Sequence, residues 1–516
     1  MFGTSILISV ISLFISLFSF LNQLVLAWLF GTSAAMEIYL VAISMPMFIS
    51  GILSVGLSYS LVPALMAHRS EADDYRRFAG LLMISFIAVA ALISIFGYWV
   101  APLQIAILGH AISLTSIPEA VAISRITWVT TAAILLVGQL RAMHNVQQRF
   151  VLASLSSLAP PMFMTIAGLV FAKEAGPISI AWGTLAGHLV VIGVLIFSTL
   201  EELTFSKEIF SFTNKVTKFI STAPLVGLAM LSFTIFQPSD AYWAPKIGPG
   251  HIADLGYCQR ILVAISGAFT FGPTSVLLPL LAKAHIDGRT HEICRQTLRG
   301  MKIAASVAVP FVLAVIVLAE PIVRIIFKRG AFNQQATAGV STALAIMMLG
   351  MIPLICVIII FRTLFATHKF YSTAALGCIT AIAYFTLSGL FINASIGNGI
   401  AIAYVLTWYL LLPISASFLW HKNLRQIINI HNALFIVKIC ASSSLCFFLL
   451  RIEQKFAENY YSEGPFLFLH IITIIIISTS TYFYVSINIL KIEELILLRG
   501  KWKQVLKYLE KYLRKS

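Results

Sequence analysis

The sequence predicts an all-α integral membrane protein with fourteen transmembrane helices, two six-helix lobes followed by two extra C-terminal helices. Three observations predict it. Of 516 residues, 59% are hydrophobic and only 11% charged, with a mean hydropathy of +0.93, whereas soluble chains carry about 25% charged residues to cover their surface. Apolar runs near or above the roughly 20 residues that a spanning helix needs recur fourteen times. Lys and Arg concentrate in the segments between runs, the pattern of charge retained on the cytoplasmic face.

The first run, 5–30, lacks a charged leading region and a small-residue cleavage pattern, so it reads as a retained span; it carries Asn22 and Gln23, polar groups expected to face the bundle interior. Run 36–66 opens on Glu37, an acid either favoured by a helix N-terminus or lining a cavity. Run 78–101 is uninterrupted, and 119–140 follows Pro118-Glu119 with Arg125 about two turns in, placed to snorkel outward or to line a cavity. Runs 151–172 and 179–199 come next, the latter with His188, a packing residue or a proton relay. Runs 220–237 and 255–282 follow; the second holds Tyr257, Gln259 and Arg260, with Asp254 just before it. The remaining spans are 301–323, 336–361, 371–393, 397–420, 433–450 and 466–488. Continuous runs such as Ile471 to Ile477 do not alternate, which excludes a β-barrel.

An even span count puts both termini on one side. That side holds 26 Lys and Arg residues and the other side nine, so both termini of this multi-pass protein are expected in the cytoplasm. The formal charge of +15 is therefore matched to anionic lipid headgroups rather than to nucleic acid. From Lys491 onward apolar and basic positions alternate, as an amphipathic helix on the inner leaflet would require.

An internal echo divides the chain. Glu37 precedes Leu61-Val62-Pro63 by the same distance, within a residue, as Asp254 precedes Leu278-Pro279-Leu280. Six spans per period give both halves one orientation, as in parallel-repeat transporters. The expected domains are an N-lobe at 1–219, a C-lobe at 220–432, a pair of extra spans at 433–490 and a basic tail at 491–516.

Catalysis finds no support. There is no Gly-rich phosphate loop, no HExxH and no GxSxG elbow, and no polar stretch much longer than about 20 residues on which to assemble a soluble site. Six cysteines show no CxxC spacing, so neither a disulfide framework nor a metal site is predicted, and no cofactor is required. Ionisable groups at membrane depth are functional candidates by default because hydrocarbon penalises them. Arg260 leads, as a cavity-lining cation or a structural partner of Asp254. Arg125, Glu37, Asn22, Gln23 and Gln259 complete the expected substrate-binding set. Asp254 and His188 are the candidates for coupling to the membrane potential or to a monovalent ion.

Several segments resemble the MurJ/MviN lipid II flippases of the multidrug/oligosaccharidyl-lipid/polysaccharide (MOP) exporter superfamily. They are Ala27-Trp28-Leu29-Phe30-Gly31 leading to Glu37 and Pro46, Leu61-Val62-Pro63, Tyr257-Cys258-Gln259-Arg260 followed by Leu277-Leu278-Pro279, and Arg362 to Ala366. The most specific is Phe327-Lys328-Arg329-Gly330-Ala331-Phe332. The resemblance implies a V-shaped pair of lobes around a cationic cavity, with spans 13 and 14 forming a groove for a prenyl tail. Alternating access would carry a polyprenyl-diphosphate-linked oligosaccharide from the inner to the outer leaflet, with glycan-synthesis enzymes as further partners.

Arg260 and Arg125 match basic positions of that family, and Glu37 stands for its aspartate. Arginines expected in span 1 and a basic pair expected midway along span 2 fall here on Ser16, Asn22, Ser50 and Gly51. These departures point to another lipid-linked glycan, an exopolysaccharide or cell-wall precursor, beside lipid II itself. The competing readings are a multidrug or organic-cation antiporter, which would have twelve spans and an acidic cavity, and a degenerate non-transporting scaffold. A glycan polymerase would need a larger outer loop than 237–254.

Overall fold

The structure is a computed structural model. It describes residues 2–67, 72–110, 112–199, 223–420, 429–460, 465–497 and 499–500. The loop between the sixth and seventh runs and the basic tail beyond residue 500 lie outside the described residues, as do Arg69, Lys207, Lys422 and Arg425.

Eighteen α-helices account for nearly all described residues, and no strand occurs among them. They are α1 (Phe2–Phe30), α2 (Ala34–Ala67), α3 (Ala72–Leu108), α4 (Ile117–Val146), α5 (Phe150–Leu155), α6 (Ala159–Ala175) and α7 (Ile178–Phe197). Next come α8 (Ala223–Thr234), α9 (Phe236–Trp243), α10 (His251–Ile286), α11 (Thr290–Val317) and α12 (Ala319–Phe327). The last six are α13 (Gln334–Met348), α14 (Met351–Ala366), α15 (Phe370–Asn393), α16 (Gly399–Trp420), α17 (Ile430–Tyr460) and α18 (Pro465–Tyr484). Helices dominate because every backbone N–H and C=O in hydrocarbon must be satisfied within its own segment.

Among the described residues, eleven helices are long and apolar enough to cross a membrane, or twelve when α13 and α14 are taken as one span. That pair, expected as a straight run over 336–361, bends by 54°. The bend falls at Leu349-Gly350, and Pro353 sits in the first turn of α14, where its missing N–H costs nothing. The seventh run is likewise divided, between α8 and α9, with Pro238 in the first turn of α9.

Two compact units emerge. The first comprises residues 1–256, 326–339 and 373–400. Within it α4 is central, packing against α2, α3 and α7, while α2 also packs against α8 and α9 and α6 against α1 and α7. Most of α4 is buried, whereas α6 buries only Gly168 and Ala172. Small residues allow close approaches: a Cβ on Gly51 would stand 2.6 Å from Thr234 Cγ2, and one on Gly227 would stand 3.0 Å from Ile52 Cγ2. Close packing of this kind is the means of association where lipid supplies no hydrophobic drive.

The second unit comprises residues 257–325, 340–372 and 401–516. Here α11 packs against α14, α17 and α18. Tyr482 donates to the Ser306 carbonyl at 3.0 Å, and Lys302 meets Glu494 at 3.2 Å while lying over the Phe435 ring.

Candidate functional site

The first unit places most of the polar groups that the sequence singles out, and it treats them differently. At the start of α4, Gln104 of α3 sits almost fully buried and ties three helices together. Its Nε2 donates to the Ala42 carbonyl of α2 at 2.9 Å, and its Oε1 accepts from Ser124 Oγ at 3.0 Å and Trp128 Nε1 at 3.1 Å. One turn away Arg125 is satisfied by a single neighbour. Its guanidinium stacks over the Tyr98 ring at 4.0 Å, and its Nε donates to the Tyr98 carbonyl at 3.4 Å.

Glu37 closes the start of α10. Its Oε1 accepts from the Gly250 amide at 2.5 Å, and the Ile252 amide also donates to it. These are orphan donors of a helix N-terminus, and a carboxylate is their natural acceptor. Gly250 holds φ +90°, a conformation that glycine reaches without strain, and packs against Thr32. Asp254, in the first turn of α10, lies within electrostatic range of Glu37, and α13 passes so close at Gly339 that any side chain there would strike its carboxylate. The structure thus brings together the acids of the two half-repeats. Asp254 Oδ1 is buried without a hydrogen-bond partner.

The most specific resemblance segments prove to be one feature. The Ala331 amide donates to the Trp28 carbonyl at 3.0 Å, Gly330 lies against the Trp28 ring and Gly31 against Ala331. Gly31 and Gly330 both have positive φ, and neither leaves room for a Cβ. Phe327 and Phe332 flank the contact with ring centroids 5.7 Å apart. Residues 27–31 and 327–332, two segments of the resemblance, therefore pack against each other and restrict each other's side chains.

Asn22 is buried and donates from Nδ2 to Met164 Sδ at 2.8 Å, leaving its Oδ1 without a partner; Oε1 of the half-buried Gln23 is likewise unpartnered. The positions where the resemblance expects further basic residues are closed or turned away. Ser50 is buried, Gly51 faces Thr234, and Ser16 is exposed. His188 of α7 bonds through Nδ1 to the Thr184 carbonyl at 2.8 Å. In the second unit, Arg260 and Gln259 are half-buried on α10, with the Arg260 guanidinium 5.7 Å from the Tyr257 ring centroid.

Two polar residues escape the sequence reading. Asp240 of α9 is fully enclosed and accepts from the Tyr384 hydroxyl at 2.5 Å; it lies just beyond 220–237, where the apolar run ends. Arg141, taken as the first residue after run 119–140, is inside α4, which continues to Val146. Its Nε is buried without a hydrogen-bond partner, and it interacts electrostatically with His188. Among the described residues no group of three His, Cys, Asp or Glu side chains could hold a metal ion.

Many long apolar helices, packed through glycines and carrying buried polar side chains, define a helical membrane protein, and solved membrane transporters share its fold. An inward closed conformation of the lipid II flippase MurJ superposes with a TM-score of 0.77 at 20% identity, covering 93% of this chain and 99% of that one. An inward-facing multidrug resistance MATE family transporter of the MOP superfamily gives 0.68 at 13% identity, covering 79% and 94%.

Within that class the sequence is decisive. The family described as lipid II flippase MurJ matches residues 26–475, and the chain belongs to it. A relative from Rhizobium meliloti (strain 1021), named a probable lipid II flippase MurJ, is 23% identical over 431 residues, 79% of this chain and 78% of its own length.

Proposed function

We propose that the protein is a flippase, not an enzyme, that moves a polyprenyl-diphosphate-linked oligosaccharide from the inner to the outer leaflet by alternating access. The observation that carries this reading is family membership across residues 26–475, nearly the whole membrane region. Physics supplies the need for such a protein: a sugar headgroup and a diphosphate cannot cross hydrocarbon unaided, so a polar path must be provided. Lipid II, or a related precursor of cell wall or exopolysaccharide, is the substrate class. In the second unit Arg260 and Gln259 are the candidates for binding the headgroup; in the first unit Asn22 and Gln23 are candidates in their own right, since their unpartnered oxygens suit sugar hydroxyls. Asp254 and His188 are the candidates for coupling to the membrane potential or a monovalent ion.

The reading also sets topology. The eleven or twelve candidate spans among the described residues would reach the fourteen of this reading if α1 and the divided pair α8–α9, whose apolar parts are shorter, also cross the membrane. Both termini then face the cytoplasm of a bacterial inner-membrane protein, and the basic tail meets anionic lipid. Glycan-synthesis enzymes are expected partners.

The test is transport by the purified chain in proteoliposomes, using a fluorescent lipid II and a prenyl-diphosphate oligosaccharide of another series. Movement of either substrate to the opposite leaflet supports the reading, and Arg260→Ala should abolish it while the protein stays folded. Lys at 260 should restore only part, since an ammonium cannot bind phosphate bidentately. Absence of movement for both lipids, with uptake of an organic cation instead, would favour the multidrug antiporter that the MATE-like fold also allows.

A further inference from the structure

On α4 of the first unit Arg141 meets neither an acid nor a hydrogen-bond acceptor at its Nε among the described residues. Ile134, Gly138, Arg141 and Asn145 follow one another at three- and four-residue steps and so share a face of α4. All four are partly or fully exposed, while Gln139, Leu140, Ala142, Met143 and His144 around them are buried. A Cβ added to Gly138 would meet nothing within 4 Å, so the space beside Arg141 is open. Arg141 forms no ion pair among the described residues, although it lies within the candidate span Leu114–Val146, where an unpaired charge is costly.

The register of α4 on α7 supplies a second group. His144 Nε2 meets Ser198 Oγ at 2.6 Å and Arg149 Nη1 donates to the Ser198 carbonyl at 2.8 Å, which ties the ends of the two helices together. His188 is ten residues before that tie, about 15 Å back along α7. Arg141 is three residues before His144, about 4.5 Å back along α4. Long side chains lean toward the N-terminus of their helix, a direction that takes the guanidinium back toward His188, on whose protonated ring its charge acts as a like charge. A carbonyl can only accept, so the His188 Nδ1 proton is committed to Thr184; Nε2 is the nitrogen left to face a ligand, and it donates to a phosphate oxygen only as the imidazolium.

We propose that Arg141, assisted by His188, is a phosphate-recognition point for the diphosphate of the lipid-linked substrate. It supplies from α4 a positive charge that Ser16, Asn22, Ser50 and Gly51 do not supply from α1 and α2. This rests on the flippase reading above. A guanidinium suits the task because it binds two phosphate oxygens at once and cannot lose its proton.

The test uses the full chain in nanodiscs of zwitterionic lipid and counts bound molecules by native mass spectrometry. The probes are a long-chain prenyl diphosphate, phosphatidylglycerol and inorganic pyrophosphate. Arg141→Gln should weaken prenyl-diphosphate binding about tenfold to a hundredfold, with Arg141→Lys intermediate and His188→Gln a smaller loss. Phosphatidylglycerol binding and the melting temperature without ligand should not change. Equal loss of phosphatidylglycerol would reduce the site to a generic headgroup contact, and pyrophosphate binding as tight as the lipid's would mark a free-anion site; either overturns the proposal. A melting temperature lowered enough to explain the loss would assign Arg141 to packing instead. Wild-type protein that takes up no prenyl diphosphate defeats the flippase reading itself, whereas uptake retained in Arg141→Gln defeats only this assignment.

Discussion

The two ends of α4 hold an arginine each, sixteen residues apart, and the protein deals with them in opposite ways. Arg125 is met by Tyr98, through its ring and its carbonyl, beside a network in which Gln104, Ser124 and Trp128 satisfy one another. Arg141 has open space, a buried Nε without an acceptor, and a histidine for a neighbour. A charge held by the ring and carbonyl of a neighbour, as Arg125 is, contributes to shape. One whose interactions are left incomplete, at a depth where that is costly, has been kept for something the fold does not contain.

Of the two ends of α4, its start, with the Gln104 network, is the more sensitive. Gln104→Leu keeps the volume of the side chain but leaves a carbonyl of α2, the Ser124 hydroxyl and the Trp128 indole without their partner. Each orphaned buried group costs about 1–3 kcal/mol, so the variant should lose roughly 3 kcal/mol or more. Melting in detergent and membrane abundance should both fall sharply. An unchanged melting temperature would mean that the start of α4 is held by packing alone.

Which of these features could be read in advance depends on what the chain does at membrane depth. The fold class was legible because apolar runs of spanning length admit few other answers, and the segments around Trp28 and Gly330 were legible because two glycines with positive φ and no room for a Cβ leave little freedom for change. Arg141 was not. A charge ordinarily ends an apolar run, whereas α4 continues past Arg141 to Val146 and is tied near its end to Ser198 by His144 and Arg149. Asp240 was hidden for the same reason, one turn past a boundary drawn at the first polar residue. Gly51 could be noted as a departure, but its cause, the approach of Thr234 from a helix 183 residues further on, is a fact of packing.

Arg125 offers the second way to sharpen the contrast. Arg125→Leu removes a cation–π stack and one hydrogen bond at a partly exposed site, interactions worth about 0.5–2 kcal/mol together. The melting temperature should drop by a few degrees, as a stability loss of that size implies. Transport should stay within about twofold of wild type, the residual effect coming from lowered stability rather than from lost binding. Transport abolished in a variant that melts normally would show that local partners do not release an arginine from substrate duty, and the reading of Arg141 would lose its contrast.

Glu37 gives the smallest expected effect and the finest distinction, because it is a charge met by backbone amides rather than by a side chain. Glu37→Gln keeps an oxygen that can accept from Gly250 but removes the negative charge at the start of α10. Loss of the interaction with the helix dipole costs about 0.3–1 kcal/mol. Against this, the variant removes the repulsion between Glu37 and Asp254, which lie within electrostatic range of each other. The two effects oppose, so the melting temperature should move by no more than a degree or two. Glu37→Ala loses the acceptor as well and should cost about 1 kcal/mol, the ordinary worth of a helix cap. Transport then separates the roles. If Glu37→Gln transports normally, hydrogen bonding to the start of α10 is the whole function of the residue; if it melts normally and fails to transport, the charge itself takes part, and Glu37 belongs with Arg141 rather than with Arg125.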